Sequence, residues 1–381
     1  MQRLLFSFSM ILLGGCINIP PLVDCTARTD CARDEVCQEG SCVQGTSVYR
    51  EPSNSLVMPM TDSGVGDDAS MDAGTNPVDA GPSCLNVTIE GRSEMFCTIA
   101  DAIANAMSGD KLTLPAIDIS EAIILVDKQL TISGSTQGSQ KTRLTPPSGQ
   151  IGIQGAAIGA VFEHIEVQAQ ESEGIRLAEN AVLRLIKVTA ARGAGVVVTG
   201  NATVILENPT ISGVLSGGTN VESGAGAGLK LDQGTTVSVQ QGTISKCQGS
   251  GVYSEGATLT LFGTNLLENN YGLESKLGNG SMSTVILTNA NALENNRSGF
   301  SIVGGNATIN NSTSNNNGKA MITPDGHGFY FGPGTTPAVE GNSAQLNIGY
   351  GMFCGPDVVP SACAQNTFGS NGVSGTNCAG C

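Results

Sequence analysis

With 381 residues the chain is long enough for one large domain and appendages. Its formal net charge of −15 argues against a nucleic-acid partner, which needs a lysine and arginine surface to release counterions, and against docking on anionic lipid by charge alone. Charged residues make up only 13%, aromatics 4%, tryptophan is absent and there are 51 glycines, a balance suited to a β-solenoid with many tight turns.

Residues 1–15 read as a signal sequence, with Arg3 near the start and an apolar run from Leu4 to Leu13. That run is too short for a spanning helix of about 20 residues. It ends in Leu13-Gly14-Gly15-Cys16, which resembles the lipobox of bacterial lipoproteins. The resemblance implies cleavage before Cys16, lipidation of that cysteine and anchoring in the bacterial cell envelope; the competing reading is ordinary secretion with an accidental cysteine. Ile17 in place of aspartate favours the outer membrane by resemblance to the enterobacterial sorting rule. Acyl chains, at about 0.8 kcal/mol per buried methylene, hold a protein on a bilayer without a spanning helix.

Everything after Cys16 is then outside the cytoplasm, where most of the 12 cysteines should pair. They fall into groups: Cys25, Cys31, Cys37 and Cys42; Cys84 and Cys97; and Cys354, Cys363, Cys378 and Cys381. Cys247 is left alone and reads as a buried free thiol. Residues 16–44 carry the lipidated end and a Cys-x5-Cys-x5-Cys-x4-Cys module, too small to bury a core and in need of staples. It resembles small disulfide modules found just after lipid anchors. A four-cysteine zinc site is the rival, although the gaps are long for knuckles and the compartment oxidising. The pairing within the module stays open.

Residues 45–82 form a linker rich in Asp, Gly, Ser and Ala, with Asp72-Ala73-Gly74 echoed by Asp79-Ala80-Gly81. It offers too little apolar surface to offset its ordering entropy and is expected to be disordered, giving reach to the large domain. Its carboxylates could bind calcium loosely, without a fixed cage; no other cofactor is indicated.

Residues 83–381 form that large domain. Thr98 is placed to cap a helix from Ile99 to Met107, with Ile99, Ile103 and Met107 on one face, stopped by Ser108-Gly109-Asp110. This helix covers the open end of a solenoid core. From Gly174 onward a glycine-apolar-x-apolar phrase returns, interleaved with a second phrase such as Ala202-Thr203-Val204-Ile205-Leu206 and Ala257-Thr258-Leu259-Thr260-Leu261. Two alternating strand phrases per unit of twenty-odd residues predict an all-β, single-stranded parallel β-helix. The inward column is Ile175, Val196, Leu229, Val252, Leu273, Phe300, Phe329 and Met352. The outward column, Arg176, Val197, Lys230, Tyr253, Glu274, Ser301, Tyr330 and Phe353, should face solvent. The recurring glycine fits a sharp corner, and asparagines before it (Asn269-Asn270, Asn295-Asn296, Asn315-Asn316-Asn317) can bond from rung to rung. The last four cysteines are expected to staple the final turns shut.

This repeat, with its corner asparagines, resembles the right-handed parallel β-helix superfamily typified by pectate lyases, over roughly residues 85–370. The resemblance implies the fold; the superfamily holds lyases, hydrolases, epimerases and adhesins, so it implies no single activity. Its pectin-degrading members use carboxylates on calcium, or paired carboxylates, with a lysine or arginine nearby. Gly326-His327-Gly328 after Asp325 resembles the Gly-His-Gly of polygalacturonase-type hydrolases, making Asp325 and His327 the catalytic candidates. The family's Asn-x-Asp and Asp-Asp elements are missing upstream, since Asp67-Asp68 lies in the linker, and a plain turn histidine is the alternative. His164, between Glu163 and Ile165, faces solvent if Ile165 points inward, either as a metal ligand with Glu163 and Glu166 or as a solvated strand residue.

Tyr253, Tyr330 and Phe353 are the candidate ligand-binding residues, since aromatic faces suit sugars, and loops at 216–226 and 318–327 interrupt the repeat. The expected function is a cell-surface lipoprotein whose β-helix binds polysaccharide or another surface macromolecule, or serves structurally. The alternatives are a polysaccharide lyase or glycoside hydrolase, and a protein-binding adhesin. Oligomeric state is left open.

Overall fold

The computed structural model describes residues 35–38, 41–44, 84–136, 140–217, 224–320 and 326–381. The chain divides into two units, residues 1–76 and 77–381. In the first, strands Glu35–Gln38 and Ser41–Gln44 form an antiparallel hairpin in which Cys37 and Cys42 are opposite each other. Cys16, Cys25, Cys31, the signal sequence and the linker 45–82 lie outside the described residues, as do the side chains of Cys37 and Cys42.

The second unit is a parallel β-helix. Each coil contributes a strand to each of three faces; the coil Ala194–Val198, Thr203–Glu207, Thr210–Ser212 is representative. The third face is an 11-stranded parallel sheet. The first two are joined into one 22-stranded sheet because strands Phe300–Asn310 and Phe329–Glu340 run through the corner between them. The sequence pattern predicts only two strands per coil. The third escapes it because its short strands bury one side chain each, such as Ile211, Ile244 and Leu266, which is too little for a visible alternation.

On the first face the predicted inward column stands in single file: Ile175 pairs with Val196, Val196 with Leu229, Leu229 with Val252, and so on through Leu273, Phe300 and Phe329 to Met352. The second face adds Leu183, Leu206, Val239, Leu261, Leu287, Ile309 and Val339 in the same way. All are buried. In-register stacking at about 4.8 Å merges these columns into one interior.

The phrase glycines are held there by sterics and not by backbone handedness. A Cβ on Gly272 would lie 2.3 Å from the Gly299 carbonyl oxygen of the next coil, and one on Gly251 2.7 Å from both the Gly272 oxygen and Asn269 Nδ2. The left-handed corners belong instead to residues flanking the third face, such as Gln241, Asn289 and Asn311 before it and Glu268, Glu294 and Asn316 after it.

Directly after that second corner runs an asparagine ladder, buried at Asn269, Asn295, Asn317 and Asn347 and ending at half-buried Asn371. From Asn269 to Asn347 the backbone N–H donates to the next asparagine's Oδ1 (Asn295 to Asn317, 3.1 Å), and each Nδ2, that of Asn371 included, donates to a carbonyl of the coil before (Asn295 to Leu266, 3.2 Å). The ladder therefore satisfies polar groups on three successive coils. The expected members Asn269, Asn295 and Asn317 are in it; Asn270, Asn296, Asn315 and Asn316 are not.

At the entry, Thr98 caps helix α1 by accepting from the Asp101 N–H at 3.0 Å. The helix spans Ile99–Asn105, shorter than predicted, because Asp110 Oδ2 captures the Met107 N–H at 2.8 Å and turns the chain away. Ile99 and Ala102 close the core, while Met107 is exposed. Disulfides Cys84–Cys97 at this end and Cys354–Cys378 and Cys363–Cys381 at the other staple the terminal coils, and Cys247 is buried and free. No helix among the described residues is long and apolar enough to cross a membrane.

Candidate functional site

The fold scatters the residues singled out in the sequence. Asp325 lies outside the described residues. His327 is buried in a turn, its Nδ1 accepting from the Tyr350 N–H at 3.0 Å, and its ring stacks on Phe353 with centroids 4.8 Å apart. Tyr330 and Phe353 occupy successive rungs and stack on each other at 5.7 Å and 3°. Their ring faces are thus engaged in a packing column with His327, not laid flat toward solvent.

Tyr253 is three coils away, roughly 14 Å along the axis, and is 2% exposed. Gly224 packs against its ring, where a Cβ would lie 2.6 Å from Tyr253 Cδ1. Its hydroxyl bonds Glu255 at 3.1 Å, and Lys276 Nζ is 5.4 Å from its ring centroid. The predicted solvated column is therefore covered here, and Val197 and Ser301 in the same column are buried too. Residue alternation reports which way a side chain points, not what later folds over it.

His164 is not a strand residue. It is the left-handed corner (φ +59°) between strands Ala160–Glu163 and Ile165–Gln168, and is half-buried. With Ser135, Lys141, Glu166, Lys187, Asn208 and Thr210 it lines a cavity of about 430 Å³. On either side of this corner runs a ladder of alternating charge. On the second face Lys111 and Arg184 hold Glu163 at 2.9 and 3.2 Å, and Arg184 goes on to Glu207 at 2.6 Å. On the third face Lys187 and Arg143 hold Glu166 at 2.9 and 3.6 Å, and Arg143 reaches Asp118 at 3.3 Å.

Burial pushes the Glu163 carboxyl up, but hydrogen bonds from Lys111, Ser133 and Arg184 with the Lys111 charge outweigh it and leave the carboxyl below its ordinary value. A carboxylate so held is a poor proton acceptor near neutral pH. Among the described residues no group of three or more His, Cys, Asp and Glu side chains is arranged to hold a metal ion.

Beyond Glu207 the outer surface changes character. On the second face the outward residues are Thr236, Ser238 and Gln240, then Thr258, Thr260 and Phe262, then Thr284, Ile286 and Thr288, then Asn306, Thr308 and Asn310, each coil in register with the next. The third face continues with Thr243 and Ser245, Asn265 and Leu267, Asn291 and Leu293, and Thr313 and Asn315. Four coils thus present two adjoining faces without a charge, built from hydroxyls, amides and a few apolar groups. In their midst Phe262 is 45% exposed. The sequence phrase ends at Leu261, the last inward apolar residue; the alternation that places Leu261 inside places Phe262 outside, and that was the available signal.

Residues 217–371 match the family model described as right handed beta helix region. Among solved structures the chain is similar to the A-module of mannuronan C-5 epimerase AlgE4 from Azotobacter vinelandii, at 14% identity over 72% of this chain and 89% of that one, with a TM-score of 0.48. An alginate lyase from Paenibacillus sp. str. FPU-7 gives 16% identity over 72% and 93%, TM-score 0.48. Pectate lyase Pel9A gives 12% over 74% and 73%, TM-score 0.44. No curated protein matches the chain. The protein is a parallel β-helix whose residues 217–371 carry the right-handed β-helix pattern.

Proposed function

We propose that this is a lipid-anchored protein of the bacterial envelope whose β-helix is a polysaccharide-binding module. The observation that carries the reading is the uncharged double face between Thr236 and Asn315, where in-register threonine, serine, asparagine and glutamine side chains repeat coil after coil. Hydroxyls and amides both donate and accept, as sugar hydroxyls do, so such a surface can exchange water for a glycan without stranding a polar group. The anchor rests on Leu13-Gly14-Gly15-Cys16, with the cysteine module and linker supplying distance from the membrane.

Affinity electrophoresis of the purified protein through gels containing different glycans tests the binding role, and retardation by none of them overturns it. Labelled palmitate incorporated by cells expressing the wild-type chain but not Cys16→Ser tests the anchor. A lyase or hydrolase reading is best seated at the His164 cavity, the one place among the described residues where an imidazole adjoins Glu166 and two lysines. Release of unsaturated or reducing-end products, abolished by His164→Ala, would replace binding with catalysis.

A further inference from the structure

We infer that the ligand is an uncharged polysaccharide, seated across the corner between the second and third faces with Phe262 beneath one of its sugar rings. This rests on the polysaccharide-binding reading above and adds the site and the ligand's charge class.

Three observations converge. First, the face is a grid. Thr236, Thr258 and Thr284 are register partners, so their hydroxyls recur at about 4.8 Å along the axis, and outward residues within a strand are about 6.8 Å apart. A regular array of neutral donor-acceptor groups suits a polymer that repeats the same hydroxyls.

Second, Phe262 is exposed in that grid, with Gln240 and Thr288 as register neighbours on the two adjacent coils. Neither neighbour is aromatic, so its ring is not taken up in a stack as those of Tyr330 and Phe353 are. An apolar face among polar groups matches the amphipathic character of a sugar ring.

Third, the charges are wrong for a polyanion. The grid holds no charged side chain; at its far corner Lys246 and Glu268 stand exposed on successive coils and Glu294 is paired with Lys319 at 2.6 Å, while the chain carries −15 overall. The cations of the earlier coils, Lys111, Arg143, Arg184 and Lys187, are already paired with carboxylates. An acidic glycan laid along this face would find no cation within the grid to pair with, against the net negative charge of the chain.

The test is affinity electrophoresis of the full chain with two sets of probes, mannan and a soluble β-glucan as neutral polymers, and alginate and polygalacturonate as acidic ones. Retardation by a neutral polymer, insensitive to salt and weakened about tenfold in Phe262→Ala, is expected. Thr260→Glu, at a half-buried outward position on the same strand, should weaken it as well, and unchanged melting of either variant shows the fold intact. Retardation by acidic polymers alone overturns the inference and leaves polysaccharide binding standing. So does neutral binding indifferent to both substitutions. Retardation by nothing, or binding only to a protein partner, removes both readings.

Discussion

Coils on the two sides of Glu207 stack in the same way but are held by different chemistry. Up to and including its own coil, the outer surface carries ladders of alternating charge, and the buried turn position after the third face is filled by Ala191 and then Val214. After it, the second and third outer faces lose their charges and the same turn position becomes a column of asparagines, beginning at Asn269. Cys247 stands between the two regimes: its backbone N–H donates to Asn269 Oδ1 at 3.0 Å. Interior hydrogen bonds have no water to fall back on, whereas surface ion pairs compete with solvent and salt. The later coils thus place much of their polar order inside, which leaves the second and third outer faces without charge ladders.

The contrast can be broken most severely at the glycines, which both regions share. Gly272→Ala forces a Cβ against the Gly299 carbonyl, and neither backbone can yield without disturbing the stack. We expect a loss of about 4 kcal/mol, or failure to fold, read by denaturant unfolding. Next comes the ladder. Asn295→Ala leaves the buried Asn269 N–H without its acceptor and takes one donor from the Leu266 carbonyl, for about 3 kcal/mol; Val214→Ala at the equivalent earlier position strands no polar group and should cost less.

The surface ladder ranks below both. Glu163→Gln should cost about 1 kcal/mol, because Lys111 and Arg184 are substantially exposed and solvent screens them. Its pH signature has a definite sign. Since the folded carboxyl titrates below its ordinary value of 4.5, its contribution is full above that pH and is lost as the pH falls through the folded value. Acid unfolding should therefore be less steep in Glu163→Gln, while Asn295→Ala leaves the acid limb unchanged.

The smallest effect belongs to the junction. Cys247→Asn extends the ladder by one rung and should stay within about 1 kcal/mol of wild type. Burial pushes the Cys247 thiol up to about 12, with the Val214 backbone pulling only weakly the other way, so thiol reagents near neutral pH should modify it only after unfolding.

How much of this could be read in advance differs by level. The inward columns were legible residue by residue, because parallel in-register stacking repeats one alternation and nothing distant can alter it. The cap, the terminal disulfide groups and the lone buried Cys247 were legible for similar local reasons. The third strand of each coil was not, since a single inward residue such as Ile244 leaves no period. The candidate site was read least well. Tyr253 points outward as alternation demands, yet it is buried with Gly224 packed against its ring. Tyr330, Phe353 and His327 came together, but as a stack that satisfies itself.

By itself the sequence settled which side chains enter the core, because the two-residue period of a strand is a property of the local backbone. Only the tertiary structure decided which outward side chains remain outside, which carboxylates are held by cations several coils away, and why glycine recurs. Those outcomes depend on contacts between residues some 20 to 50 positions apart, whose pairing is set by how the coils stack. An exposed phenylalanine among threonines and a buried tyrosine look alike until that stacking is known.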